Sequence, residues 1–175
     1  MKIISKLNDL IILKTNYYFD DRGYFTEEFN SKNFNLSIKK KINFIQDNVS
    51  FSKKNVFRGL HYQIAPFQQN KLIKVIRGEI LDFVLDINKK SKTYGKLFNF
   101  RLSSKNKHQL FIPSGYAHGF YVLSQTALIR YKVDKPYSPK HEQGINILSK
   151  KFEIDKLIKR KNIIISDKDK MYNPF

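Results

Sequence analysis

At 175 residues the chain has ordinary single-domain size, enough to bury roughly two-thirds of the surface its unfolded form exposes, and one domain over 1–175 is expected. A hydrophobic share of 41% with 14% aromatic residues excludes an intrinsically disordered chain, and the lack of cysteine excludes disulfides and thiolate metal sites. The net charge of +18 admits polyanions as partners, but only six of the 33 basic residues are Arg, and the dense clusters at 39–41 and 159–161 carry no interleaved aromatics, so a solvated basic surface without a nucleic-acid or membrane partner is expected.

No apolar run approaches the ~20 residues of a membrane-spanning helix, and residues 1–13 lack a signal-peptide core with a cleavage site, so a soluble, cytoplasmic protein is expected. Taken in chain order, the first regular element is a short helix over 31–36. Apolar, β-branched runs at 72–76 and 80–87, joined through Arg77-Gly78-Glu79, predict an antiparallel hairpin. A strand at 110–112 stops at Pro113-Ser114-Gly115, and strands at 117–123 and 127–133 predict a second pair around Ser124-Gln125-Thr126. A minor helix over 152–158 would carry Phe152, Asp155 and Ile158 on one face. Many short strands, few helices and no internal repeat or linker point to an all-β sandwich or barrel, a shape that commonly binds a small ligand in its mouth.

Strand periodicity then sorts the ionisable residues. Ile129, Tyr131 and Val133 share one face of their strand, so the Tyr131 phenol points where the apolar residues point. Lys71 shares parity with Ile73 and Val75, which sends an ammonium inward, a rare placement for lysine without a partner or a task. Arg58 and His61 have opposite parity and can face one cavity only if the strand bulges, with Gly59 the place for it. His118 lies on the face of Phe120 and Val122. Alone, a buried Tyr or a single His on an apolar strand face is more often a structural group than a catalytic one, and Lys71 can sit at the exposed start of its strand, but two inward histidines shift the balance toward a site. Metal-holding β-barrels use His-x-His followed by a carboxylate and a third His; here Gln63 stands in the second position, so no metal is expected. No glycine-rich phosphate loop is present, and no cofactor is expected.

These residues lie in segments that resemble the dTDP-4-dehydrorhamnose 3,5-epimerases of the cupin superfamily. The segments are Asp21-Arg22-Gly23-Tyr24-Phe25-Thr26-Glu27, Gln46-Asp47-Asn48, Asn55-Val56-Phe57-Arg58-Gly59-Leu60-His61-Tyr62-Gln63, Lys71-Leu72, Ile112-Pro113-Ser114-Gly115-Tyr116-Ala117-His118-Gly119-Phe120, Tyr131-Lys132, Tyr137-Ser138-Pro139 and Ser166-Asp167-Lys168-Asp169. Each is weak alone; together, in order and spacing, they are specific. The resemblance implies a cupin-type jelly-roll β-barrel with a few short peripheral helices, a homodimer with exchanged N-terminal strands, and a nucleotide-diphosphate sugar substrate with a 4-keto-6-deoxy sugar. A ketone at C4 acidifies the C3 and C5 hydrogens because the resulting carbanion delocalises as an enolate, so inversion needs a base, an acid on the other face and a cation at the oxyanion.

On that resemblance His61 is the base, Asp169 its acidic partner, Tyr131 the acid and Lys71 the cation at the enolate oxygen. Arg22, Arg58 and Lys168 match ligand-contacting positions suited to diphosphate or sugar oxygens, and Gln46, Asn48, His118, Glu27 and Glu142 match further substrate-binding positions. The chain departs from the family pattern at Asn146-Ile147-Leu148-Ser149, at Asn88 where Arg is common, and in having no Trp. Those departures leave open a GDP-linked 4-keto heptose as substrate, or inversion at C3 alone, in capsule biosynthesis rather than deoxysugar biosynthesis for a surface polysaccharide. Two further readings are a sugar 3,4-ketoisomerase, less consistent with His61-Tyr62-Gln63, and a non-catalytic cupin that binds a nucleotide or acidic polymer, less consistent with an acid and a base retained together.

Overall fold

The computed structural model of the chain describes residues 1–158 and 160–175, so Lys159 of the basic cluster at 159–161 lies outside the described residues. Its strands are β1 (Lys2–Leu7), β2 (Leu10–Lys14), β3 (Tyr18–Asp20), β4 (Gly23–Phe25), β5 (Gln46–Lys53), β6 (Phe57–Gln63), β7 (Lys71–Arg77), β8 (Glu79–Asp86), β9 (Leu97–Ser103), β10 (His108–Ile112), β11 (Tyr116–Val122), β12 (Thr126–Val133) and β13 (Glu142–Gly144). Two helices accompany them, α1 (Ser31–Ile38) and α2 (Asp167–Met171). One sheet has the order β1-β2-β10-β7-β12-β5, the other β13-β6-β11-β8-β9, and β3 and β4 form a separate hairpin. Every pairing between these strands is antiparallel, and the two larger sheets face each other as a flattened jelly-roll barrel, with no hydrogen-bonded ladder closing the ring among the described residues.

The core between the sheets follows from strand alternation. Ile73 and Val75 of β7 and Ala127 and Ile129 of β12 meet Ile80, Val84, Phe120 and Val122 of the opposite sheet. At about 25 cal/mol per Å² of buried apolar surface, such a layer is the main stabilising term. The outer face of the five-stranded sheet is covered by the C-terminal segment through Ile145, Ile147, Phe152, Ile154 and Ile158. The outer face of the six-stranded sheet is covered by α1, whose Phe34 and Ile38 pack on Leu13, Leu72 and Phe111. Asn30 caps α1 by accepting a hydrogen bond from the Asn33 amide at 3.0 Å, and Lys39 ends it in the left-handed region.

Three expectations about connectivity are corrected. The runs on either side of Gly78 do not pair as a hairpin: β7 pairs with β10 and β12, while β8 pairs with β9 and β11 in the other sheet. Strands β11 and β12 are likewise in different sheets. The chain turns a barrel corner at both places, because β7 and β8 bury their apolar faces toward one another across the core. A short turn between two apolar strands is compatible with either arrangement. Gly78 sits at φ +86, and any side chain there would meet the Thr126 carbonyl oxygen. Ser124 ties the two corners together, its Oγ accepting from the Glu79 amide at 2.8 Å and donating to the Thr126 carbonyl at 2.7 Å. The helix expected over 152–158 is instead a pair of separate single 3₁₀ turns, Lys150–Phe152 and Ile154–Lys156, broken where Glu153 takes φ 46. Phe152 and Ile158 are buried but Asp155 is exposed.

Candidate active site

A cavity of about 670 Å³ lies between the sheets. The five-stranded sheet contributes Arg58, His61 and His118 to its lining, the six-stranded sheet Lys71 and Tyr131, and α2 contributes Lys168 and Asp169. Imidazole and phenol therefore stand on facing sheets, with an amine on the same cavity.

His61 reaches the cavity through the bulge expected at Gly59. Three residue steps on β6, from Arg58 to His61, oppose two on β11, from Phe120 to His118. Gly59 has φ +110, and a Cβ there would sit 2.6 Å from the His118 carbonyl oxygen, so the approach of the two strands requires glycine. The His61 ring offers Nε2 to Asp169 Oδ1 at 2.7 Å, while the Gly59 amide donates to Oδ2 at 3.1 Å. Asp169 is held for this in the first turn of α2, where its own amide donates to the Ser166 cap oxygen at 3.2 Å. Burial alone would raise the Asp169 carboxyl. The hydrogen bond and charge of His61, with the Gly59 amide and Ser166, outweigh it and hold the group below the usual carboxylate range. A neutral imidazole that donates from Nε2 to the ionised Asp169 leaves its lone pair on Nδ1, the arrangement a general base requires.

Tyr131 and Lys71 come from neighbouring strands. Tyr131 pairs with Ile73 and Val133 with Lys71, so the phenol and the ammonium are diagonal neighbours on one face. Burial raises the Tyr131 phenol, and Glu142 adds to this while Arg58 opposes it, so the hydroxyl stays protonated near neutrality. Burial lowers the Lys71 ammonium to about 8, with Asp82 and Glu142 restoring part of the loss.

The remaining expected residues divide into two groups. Lys168 donates to Glu142 Oε2, which also accepts from the Tyr137 hydroxyl at 3.0 Å. Burial raises the Glu142 carboxyl, but Lys168, Tyr137 and the nearby His61 bring it below its ordinary value. Arg58 donates from Nε to Ser52 Oγ at 3.0 Å and from a terminal nitrogen to the Phe51 carbonyl at 3.3 Å. Gln46 and Asn48 lie on β5 opposite Val133 and Tyr131, on the Tyr131 side of the sheet, and bond to each other at 2.8 Å.

Arg22 and Glu27 are not brought to this cavity. Arg22 is exposed at the tip of the β3–β4 hairpin, paired with Asp20 at 2.6 Å, and Glu27 accepts from Asn30 and Asn33 beside α1. Two residues on or beside the site were not singled out from sequence. Tyr172 sets its ring edge-on to His61, centroids 5.9 Å apart. Asp82, on β8, accepts from or bonds to His118 Nε2 through Oδ2 at 2.9 Å. Its parity with Ile80 and Val84 was the available signal.

The family model for dTDP-4-dehydrorhamnose 3,5-epimerases matches residues 5–175. The chain belongs to this epimerase family. It is 43% identical over 167 residues to the dTDP-4-dehydrorhamnose 3,5-epimerase of Shigella flexneri, covering 95% of this chain and 91% of that one. The crystal structure of the Elizabethkingia anophelis epimerase superposes with a TM-score of 0.93 at 37% identity, covering 100% of this chain and 96% of that one. A Legionella pneumophila dTDP-6-deoxy-D-glucose 3,5-epimerase, solved in complex with dTDP-4-keto-L-rhamnose, superposes with a TM-score of 0.92 at 38% identity, covering 99% and 92%. The jelly roll is thus the epimerase family's own fold, and the chain is an enzyme of the carbohydrate-epimerase class. No helix among the described residues is long and apolar enough to cross a membrane.

Proposed function

We propose that the chain, acting as one domain over 1–175, inverts C3 and C5 of dTDP-4-keto-6-deoxyglucose to give the 4-keto-L-rhamnose sugar, through an enolate and without metal or cofactor. The observation that carries this reading is His61, backed by Asp169, across a shared cavity from Tyr131, with Lys71 beside them. His61 Nδ1 takes the proton from carbon, Lys71 steadies the charge that moves onto the C4 oxygen, and Tyr131 returns a proton to the opposite face. Arg58 and Lys168 bind the diphosphate, and Gln46, Asn48, His118 and Glu142 hold the rest of the ligand. The substrate choice is supported by the dTDP-sugar relatives, among them the Legionella complex.

The same reading makes the working form a cytoplasmic homodimer. Tyr18, Phe19, Tyr24 and Phe25 of the β3–β4 hairpin are exposed, as are Val49 and Phe51 of the edge strand β5. A hairpin that docks on a second copy covers these groups and carries Arg22 and Glu27 to the partner's cavity.

The test is incubation in D₂O with the dTDP-linked and, in parallel, a GDP-linked 4-keto sugar, followed by NMR of the sugar ring. Deuterium at both C3 and C5 of the dTDP sugar is expected. Label at C3 alone removes the second inversion, and no label in either sugar removes the epimerase reading.

A further inference from the structure

Strand β8 reads Ile80-Leu81-Asp82-Phe83-Val84, and its interior-facing positions are Ile80, Asp82 and Val84, the first and last of which sit in the core between the sheets. Asp82 is 0% exposed. A carboxylate in that position costs several kcal/mol unless it is paired. Its Oδ2 lies 2.9 Å from His118 Nε2, and its Oδ1 is buried with no hydrogen-bond partner among the described residues.

The charged and titratable groups around it are few. Those that act on it are His118, from β11, and Lys71, from β7, and both line the cavity between the sheets. Of the two carboxylates within electrostatic reach of Lys71, Glu142 holds Lys168 and Tyr137 through Oε2, and Asp82 is the one with a buried oxygen that has no hydrogen-bond partner among the described residues. We propose that Asp82 is a positioning residue for the inversion: one oxygen fixes the His118 imidazole in the cavity wall, and the other gives the Lys71 ammonium its buried counter-charge. The inference rests on the epimerase reading for its consequence, since an ammonium at the enolate oxygen is useful only while it keeps its proton. It makes the His118–Asp82–Lys71 set a single electrostatic unit that spans the two sheets.

The test is Asp82→Asn, which keeps the side-chain volume and an acceptor for His118 and removes the charge. In the parent, the rate of solvent deuterium uptake is expected to fall on the alkaline side near pH 8, where Lys71 loses its proton. In Asp82→Asn that fall is expected about one pH unit or more lower, with KM little changed. An unmoved alkaline limb, with activity reduced evenly at all pH values, overturns the proposal, because a purely structural role does not move the limb. Should the variant not fold, carbon-13 NMR of the aspartate carboxyls in the parent decides. Asp82 ionised at neutral pH supports the proposal, and a neutral acid there overturns it. No deuterium uptake by the parent at any pH instead overturns the epimerase reading, and the carboxyl measurement still judges the Asp82–Lys71 pair.

Discussion

His61 and His118 stand opposite each other across β6 and β11, and each offers Nε2 to a carboxylate, yet the two pairs are built differently. The His61 side chain is 32% exposed and its partner comes from α2, 108 residues along the chain. The His118 side chain is 10% exposed and its partner comes from the adjacent strand β8. Asp169 gathers a backbone amide and a helix-cap hydroxyl beside its imidazole, and sits below the usual carboxylate range. Asp82 has one bonded oxygen and one without a partner among the described residues, and burial raises it despite His118 and Lys71. The same two functional groups therefore give a satisfied pair open to solvent, and a dry pair held at a cost.

The largest expected effect sharpens that difference. His61→Ala should reduce deuterium uptake at both carbons by about 10³-fold while dTDP still binds, because a general base is worth ~10²–10⁴. His118→Ala should cost only about tenfold, the size of one hydrogen bond, and mostly in KM. Equal losses in the two variants, measured by NMR exchange and by calorimetric titration with dTDP, would remove the distinction.

Much of this site was legible in the sequence because strand alternation is a local rule. Tyr131, Lys71 and His118 each share parity with apolar neighbours, and the one bulge needed for His61 falls at the glycine that the opposing backbone demands. Strand partners were less legible. The turns at Gly78 and Ser124 join strands that face across the core rather than pair in one sheet, and turn chemistry does not tell those apart. Asp169 has no periodic signal at all: it arrives from a five-residue helix after a run of 3₁₀ turns, and only resemblance to a family named it. Arg22 and Glu27 carry the opposite lesson, since a motif can match while the chain's own fold keeps it away from the cavity.

The two carboxylates should also differ in what they do for stability. Asp169 has a lowered folded-state pKa, so its contribution is present above the usual 3.8 and is lost as the pH falls through the folded value. Asp82 has a raised one, so the folded state holds its proton more tightly than the unfolded chain does, and at neutral pH its charge subtracts from stability. Asp169→Asn is therefore expected to lose about 1.5 kcal/mol, or about 5 °C in melting temperature. Asp82→Asn is expected to melt at the same temperature or higher. Calorimetric melts at neutral pH check both; a large drop for Asp82→Asn would make it a structural carboxylate rather than one retained for chemistry.

The smallest effect isolates the element that only the first pair depends on. Ser166 caps α2 and so fixes where Asp169 stands, while the rest of the helix contributes little to the core: Asp169 is its one buried residue. Removing the cap in Ser166→Ala costs about 1 kcal/mol, spent on local order in the last turn of chain rather than on global unfolding. Since ~1.4 kcal/mol is tenfold in rate, kcat should fall by about fivefold, with the melting temperature nearly constant. Ser166→Thr, which restores a capping hydroxyl, should recover most of the rate. If Ser166→Ala instead left kcat untouched, the Asp169 carboxylate would be positioned by the Gly59 amide and His61 alone, and the two histidine pairs would differ in burial but not in how firmly they are held.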